Sequence, residues 1–284
     1  MSRSVLVTGV STGIGLASAR LLAARGFHVF GSVRKAADAQ RLSDDLGPAF
    51  SPLVFDVTDE AAVRLAAQAV REALRGQTLA GLVNNAGIAV GGPLTDLPIA
   101  EYRHQMEVNL VGPMIVTQAF LPLLGTDRSL KGEPGRIVNL TSVAGKLGAP
   151  FVGPYVASKH GLEGLSESLR RELQFYGIDV IMVAPGHVAT PIWDKAEQID
   201  ATPYQHLAIF PAMKKFLDFF VAEGKQGFPP ERIAEVIHTA LTTAHPKARY
   251  PVVPGHVKNW TVPRLLPVRL VDKIIAGQLG LKRR

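Results

Sequence analysis

Short runs of residues that are apolar on both faces alternate along this chain with stretches of helical spacing, and this alternation narrows the fold more than any other feature. Runs of this kind occupy residues 4–8, 28–33, 52–56, 81–84, 136–140 and 179–184. Residues 13–25 follow the first run with helical spacing at Ile14, Leu16, Leu21 and Leu22. In 59–74 the apolar positions Ala62, Val63, Ala66, Ala69, Val70 and Ala73 recur every three or four residues, and 99–121 and 155–176 are helical as well. Strands buried on both faces and joined by helices predict an α/β fold, a parallel sheet covered on both sides. Right-handed crossovers make it doubly wound, with a ligand crevice at the carboxyl ends of the strands.

Composition removes other classes. With 47% hydrophobic and 19% charged residues, the chain is too apolar for a disordered protein. The absence of cysteine excludes disulfides, a thiolate metal site and a cysteine nucleophile, and nothing else calls for a metal. No run approaches the roughly 20 uninterrupted apolar residues of a spanning helix. The first ten residues read as a strand entering a turn, which leaves no room for a signal peptide. A soluble, cytoplasmic protein is expected. The net charge of +7 sits wholly in residues 231–284, which hold 10 Lys/Arg and 3 Asp/Glu; residues 1–230 are neutral. A nucleic-acid binder would spread its charge over a reading surface. A neutral body with a basic tail does not fit one.

Thr8-Gly9-Val10-Ser11-Thr12-Gly13-Ile14-Gly15 links the first strand to the first helix. Gly9 permits a tight turn, Gly13 a close backbone approach to a pyrophosphate, and Gly15 close helix–strand packing. The helix N-terminus beyond offers free N–H groups to the phosphate. The spacing is G-x3-G-x-G, not the common G-x-G-x-x-G, so taken alone it also fits plain turn chemistry. Within a doubly wound sheet it marks a Rossmann-type dinucleotide site. Asn84-Asn85-Ala86-Gly87 ends the fourth strand, where small residues let a nucleotide lie across the strand tips and the amides brace the neighbouring strand. Asp56, with Val57 beside it, ends the third strand. It either accepts a hydrogen bond from an adenine amino group or caps the helix starting near Asp59.

Ser142 lies just past the fifth strand, and Tyr155 and Lys159 follow at i and i+4, on one helix face. A phenol, with an ordinary pKa of about 10, is a poor acid or base at neutral pH unless its anion is stabilised. An ammonium about 4 Å away at an effective dielectric near 20 is worth on the order of 4 kcal/mol. That is an upper figure of roughly three pKa units. The expectation is therefore a tyrosine brought close to physiological pH by Lys159.

Together these residues resemble the short-chain dehydrogenase/reductase family. The resemblance runs from Ser4 to about Thr190 and rests on the Thr8-to-Gly15 turn, Asn84–Gly87, Asn109, Ser142, Tyr155-x-x-x-Lys159, and Pro185-Gly186 followed by Thr190. It implies an oxidoreductase in which Tyr155 is the acid/base, Ser142 orients the substrate oxygen, and Lys159 lowers the tyrosine pKa and holds the nicotinamide ribose. Asn109 is implied to position a water between Lys159 and solvent. Backbone at Val188 would meet the carboxamide, with Thr190 near the phosphates. The same set argues against a non-catalytic nicotinamide-binding scaffold. The resemblance also implies a last strand at 249–253, which makes seven, and a homodimer or homotetramer through the long helices. The whole chain, 1–284, then reads as one domain.

Family members that prefer NAD usually carry an acidic residue ending the second strand. Here that position is Val33, with Arg34 directly after it. A guanidinium offers a 2′-phosphate a charge-assisted fork, so NADP(H) is favoured and NAD(H) is the alternative. Ser11 could add a hydroxyl, whereas Thr12 stands where many NADP-using members have a second basic residue. The segment 187–230 contains Trp193, Tyr204, Phe210, Met213, Phe216, Phe219, Phe220 and Phe228, and corresponds to the family's substrate lid. Phe151 and Val152 are candidates for the opposite wall. An aromatic, Met-containing lid suits a bulky lipophilic alcohol or ketone, with 3-oxoacyl thioesters as the alternative. The tail, 258–284, interleaves Leu, Val and Ile with Arg264, Arg269 and Lys273. It reads as a basic amphipathic helix that packs on the body, lies on a membrane surface, or meets an acidic partner such as an acyl carrier.

Overall fold

The computed structural model describes residues 3–193 and 200–281. Seven strands form one sheet: β1 (Ser4–Val7), β2 (His28–Val33), β3 (Phe50–Val54), β4 (Gly81–Asn84), β5 (Arg136–Leu140), β6 (Asp179–Pro185) and β7 (Arg249–Val252). Their order is β3-β2-β1-β4-β5-β6-β7, and every pair is parallel. The winding reverses between β1 and β4. A crevice therefore opens there at the strand tips, which is the doubly wound Rossmann-type arrangement expected.

Helices cover both faces. α1 (Gly13–Ala24), α2 (Ala36–Leu46) and a later helix, α8 (Pro230–Thr242), bury Leu22, Leu42, Ile233 and Ile237 against one side. α3 (Glu60–Leu74), α5 (Gly112–Phe120) and α6 (Gly153–Leu173) bury Val70, Phe120 and Leu169 against the other. α2 has no counterpart in the sequence reading. Its inward stripe is short, Ala39 and Leu42 with a partly buried Leu46. β3 starts two residues earlier than expected, at Phe50, whose ring fills the space a side chain on Gly31 would take. Its Pro52 and the Pro251 of β7 are tolerated because both strands lie at sheet edges.

The long apolar stretch after β4 is broken into α4 (Ile99–Met106), a π-turn (Glu107–Val111) and α5. Pro113 explains the break: it cannot donate to the Asn109 carbonyl four residues back. The bonding slips to i→i+5, with Gly112 N–H on the Glu107 carbonyl. Ile99–Leu124 taken whole is long and apolar enough on average to cross a membrane, although polar residues interrupt it. Half of its most apolar window is buried within the fold, with Val116, Phe120, Leu123 and Leu124 in the core.

Beyond β6 lie α7 (Phe210–Lys225) and, at the C-terminus, a short helical turn (Val262–Leu265) and α9 (Val268–Leu279). The expected lid includes 194–199 and the expected tail Lys282, Arg283 and Arg284; these lie outside the described residues.

Candidate active site

The glycine turn is built by contacts that leave no room for side chains. Gly9 has φ +70°, and a Cβ there would lie 2.9 Å from Ala86 Cα; at Gly15 a Cβ would lie 2.2 Å from the Gly9 carbonyl oxygen. Side chains lock the turn to the sheet. Thr8 Oγ1 accepts from Asn85 N and Ala86 N, both at 3.0 Å, and Asn85 Nδ2 donates to Thr8 O at 2.8 Å and Gly9 O at 3.1 Å. Thr12, the N-cap of α1, makes no side-chain cap hydrogen bond, so the first-turn N–H groups stay open toward the crevice.

A cleft of about 270 Å³ runs along these tips. Gly9, Ser11, Thr12, Gly13, Ile14 and Gly15 line its floor; Arg34, Asp56 and Val57 line one end; Asn85, Ala86, Gly87 and Thr190 line the wall. A nucleotide fits this cradle because the floor is glycine and open backbone N–H. Ser32, Phe55, Ile88, Val108, Pro191 and Ile192 complete the lining and were missed in the sequence. Ile88 and Val108 follow and precede residues that had been singled out, so position alone could have flagged them. Arg41 was missed with α2. Its guanidinium donates to Ser11 O at 2.8 Å and pairs with Asp38 at 3.1 Å, holding the turn from outside.

Asp56 does not cap the following helix. Asp59 does, accepting from Ala62 N at 3.0 Å, while Asp56 accepts from Thr58 N and Thr58 Oγ1 in a local turn. Burial pushes the Asp56 carboxyl up. The Thr58 hydrogen bonds and the charges of Arg34, 3.8 Å away, and His104 outweigh that and hold it below its ordinary value.

At the other end of the crevice α6 is pinned through the sheet. Asn84 Nδ2 donates to Thr117 Oγ1 on α5 and Asn139 Oδ1 on β5, and Asn139 Nδ2 donates to Ser166 Oγ on α6 at 2.8 Å. Ser142 Oγ accepts from Ala144 N at 3.1 Å, donates to Pro185 O at 3.4 Å, and faces the Tyr155 phenol closely enough to lower its pKa. No hydrogen bond joins Lys159 to the Tyr155 phenol oxygen; the amine faces the ring instead. Lys159 Nζ donates to Leu140 O at 2.7 Å and lies 5.7 Å from the Tyr155 ring centroid, over its face. Burial pushes the phenol up, opposed by Ser142, and the same burial lowers Lys159 to about 8. The strand-end carbonyl is a nearer partner for the amine than the phenol oxygen, and among the described residues no anionic side chain offsets the burial of the amine.

Asn109, in the π-turn, has its side chain engaged: Ile88 N donates to Oδ1, and Nδ2 donates to Ile88 O and Ser158 Oγ. One lone pair of Oδ1 is left over. Buried Gln105, one turn earlier, clamps Ile88 and Val90 in the same way and was not foreseen.

Pro185 and Gly186 turn out of β6, with Gly186 N bonded to Val252 O at 3.0 Å. Val188 pairs with Phe228, and its carbonyl accepts the Trp193 indole N–H at 2.6 Å. Phe228, partly buried, packs against the main core. Of the other lid aromatics, Phe216 packs with Met213 and Ala212 on Phe151 and Val152, and Tyr155 touches this cluster. Phe219 points outward and is exposed. Phe151 has φ +62°, rare for a bulky residue; Gly92 N–H on its carbonyl at 2.7 Å and the Phe216 ring at 5.8 Å hold it there. His187, unassigned in the sequence, wedges between Trp193 and Phe220, and burial lowers its pKa against the pull of Glu223.

Comparisons with known proteins agree with this arrangement. A family model described as short chain dehydrogenase matches residues 3–200. The NADPH-dependent 3-dehydrocapnine reductase of Ornithobacterium rhinotracheale is 39% identical over 280 residues, covering 98% of this chain and 97% of that protein. Human retinol dehydrogenase 5 is 34% identical over 97% of this chain and 88% of its own length. Among solved structures, a short-chain dehydrogenase from Streptomyces avermitilis superposes with a TM-score of 0.76 at 26% identity, covering 99% of this chain and 97% of that one.

Proposed function

Because the chain belongs to the short-chain dehydrogenase family of oxidoreductases, we propose that it moves hydride between NADP(H) and a lipophilic secondary alcohol or ketone, with Tyr155 as general acid/base. The observation that carries this reading is the gathering of Ser142, Tyr155 and Lys159 just past β5, with Lys159 on the Leu140 carbonyl and over the Tyr155 ring, in a chain whose strand tips also hold an open cleft floored by the glycine turn. The bound nicotinamide would supply or accept the hydride. Ser142, facing the phenol, orients the substrate oxygen. Tyr155 keeps its proton because burial raises its pKa, which suits delivery to a carbonyl oxygen during reduction. Lys159, over the ring face, supplies positive charge as the phenolate develops.

NADP(H) is favoured by Arg34 at the cleft end and by an apolar Val33 where a carboxylate would repel the 2′-phosphate. The NADPH-dependent relative points the same way. A lipophilic substrate is favoured by the Phe151, Met213 and Phe216 wall next to Tyr155. The test is NADPH oxidation over a panel of steroid, retinoid and long-chain ketones. Tyr155→Phe should lower kcat at least about 100-fold while NADPH still binds. Near-normal turnover in that variant would remove the mechanism.

A further inference from the structure

Among the described residues, 14 large apolar side chains are exposed, and six of them crowd into 18 positions near the C-terminus: Val257, Val262, Leu265, Val268, Leu270 and Ile274. Leu265 and Val268 are 79% and 75% exposed. Lys258, Arg264, Arg269 and Lys273 are interleaved with them, and Asp272 is the one acidic residue from 257 to 281. We propose that this face of the tail docks on an anionic phospholipid bilayer.

The helix divides its apolar residues between two jobs. Leu279, with Leu281 just beyond the helix, packs inward on the Phe151–Met213–Phe216 cluster, and Lys215 of α7 donates to the Gln278 carbonyl. Leu270 and Ile274, one turn apart, lie outward beside Lys273. An apolar stripe edged by Lys and Arg lets the stripe enter the acyl boundary while the cations meet headgroups. A second copy of this chain fits less well. A two-fold contact would gather four cations from each copy in one interface, with a single Asp272 from each to compensate. An acidic protein would answer the charge but leaves six large apolar side chains unexplained. The helix that carries the docking face packs its other end, through Leu279, on the apolar wall beside Tyr155, so a lipophilic substrate could pass from bilayer to crevice. That link rests on the oxidoreductase reading; vesicle binding does not.

The test is flotation of the full chain, without substrate, on phosphatidylcholine vesicles with and without one-third phosphatidylglycerol, alongside light scattering for oligomeric state. Binding should require phosphatidylglycerol and weaken with salt. Arg269→Gln with Lys273→Gln should weaken partitioning about 25-fold, since each cation near an anionic surface is worth about fivefold. Leu270→Ser with Ile274→Ser should weaken it as well; these side chains are exposed, so unchanged NADPH binding and melting will verify the fold. Absence of vesicle binding overturns the proposal. So does a serine variant that changes the oligomeric state but not vesicle binding, which would mark the face as a subunit contact. If vesicles bind while no ketone is reduced, the surface stands and the enzymatic reading fails.

Discussion

At the glycine-turn end of the crevice the walls are backbone, fixed by φ angles and by contacts that exclude side chains; at the lid end they are side chains packed on one another. Gly9, Gly13 and Gly15 set the first wall, with Thr8 and Asn85 tying it to β4. Phe151, Met213 and Phe216 make the second, and they rest on α7 and the end of the tail rather than on the sheet. A backbone wall serves a cofactor common to many proteins. A side-chain wall can be changed residue by residue without disturbing the sheet, and that is where substrate choice can vary.

The comparison breaks most sharply at Gly15. A Cβ would come within 2.2 Å of Gly9 O and 2.5 Å of Asn85 Nδ2, and neither group can yield without opening the turn. Gly15→Ala should cost on the order of 3 kcal/mol. If that cost falls on the bound form, NADPH affinity drops by about 100-fold, which fluorescence titration will measure. Affinity within threefold of the parent would show that the turn is softer than its contacts imply. Phe216→Ala is the matching change at the other end. It should leave NADPH affinity unaltered while lowering kcat/KM for long-chain ketones about 30-fold, roughly 2 kcal/mol of apolar contact. Equal losses for short and long substrates would place the ring outside the substrate path.

The same division governs how much could be seen in the sequence. Strands buried on both faces and a turn needing glycine leave local marks, so the sheet and the floor of the cleft were legible. The π-turn was legible in principle, because Pro113 sits four residues after Asn109, but the mark is one residue deep. α2 left a stripe of only three residues, Ala39, Leu42 and Leu46, and Arg41 went with it. The left-handed Phe151 left none, because its conformation is imposed from outside by Gly92 and Phe216. Partner choice also escaped: i, i+4 spacing put Lys159 near Tyr155, but not on the Leu140 carbonyl.

Lys159 sharpens the comparison, since it belongs to neither wall and holds to the end of β5 through the Leu140 carbonyl. Burial lowers its pKa to about 8, so the ammonium is present below pH 8 and lost above it, while the buried phenol keeps its proton throughout this range. If the positive charge assists reduction, kcat/KM should fall about tenfold per pH unit above pH 8. Lys159→Arg, which stays charged, should flatten that limb even if its rate is lower. A descending limb unchanged in the arginine variant would assign it to another group.

Arg34 carries the smallest effect and the most specific one. Its side chain is 66% exposed and its guanidinium lies 3.8 Å from Asp56, so in solvent it is already partly satisfied. A charge-assisted bond to a 2′-phosphate could be worth 1.5–3 kcal/mol, but exposure and the competing carboxylate hold the gain to about 1 kcal/mol. Arg34→Ala should therefore lower kcat/KM with NADPH about fivefold and leave NADH nearly unaffected. Asp56→Asn, which frees Arg34, should move the NADPH/NADH ratio the other way. If both variants change the two cofactors alike, Arg34 does not read the phosphate, and the adenosine end discriminates through its backbone, as the rest of that wall does.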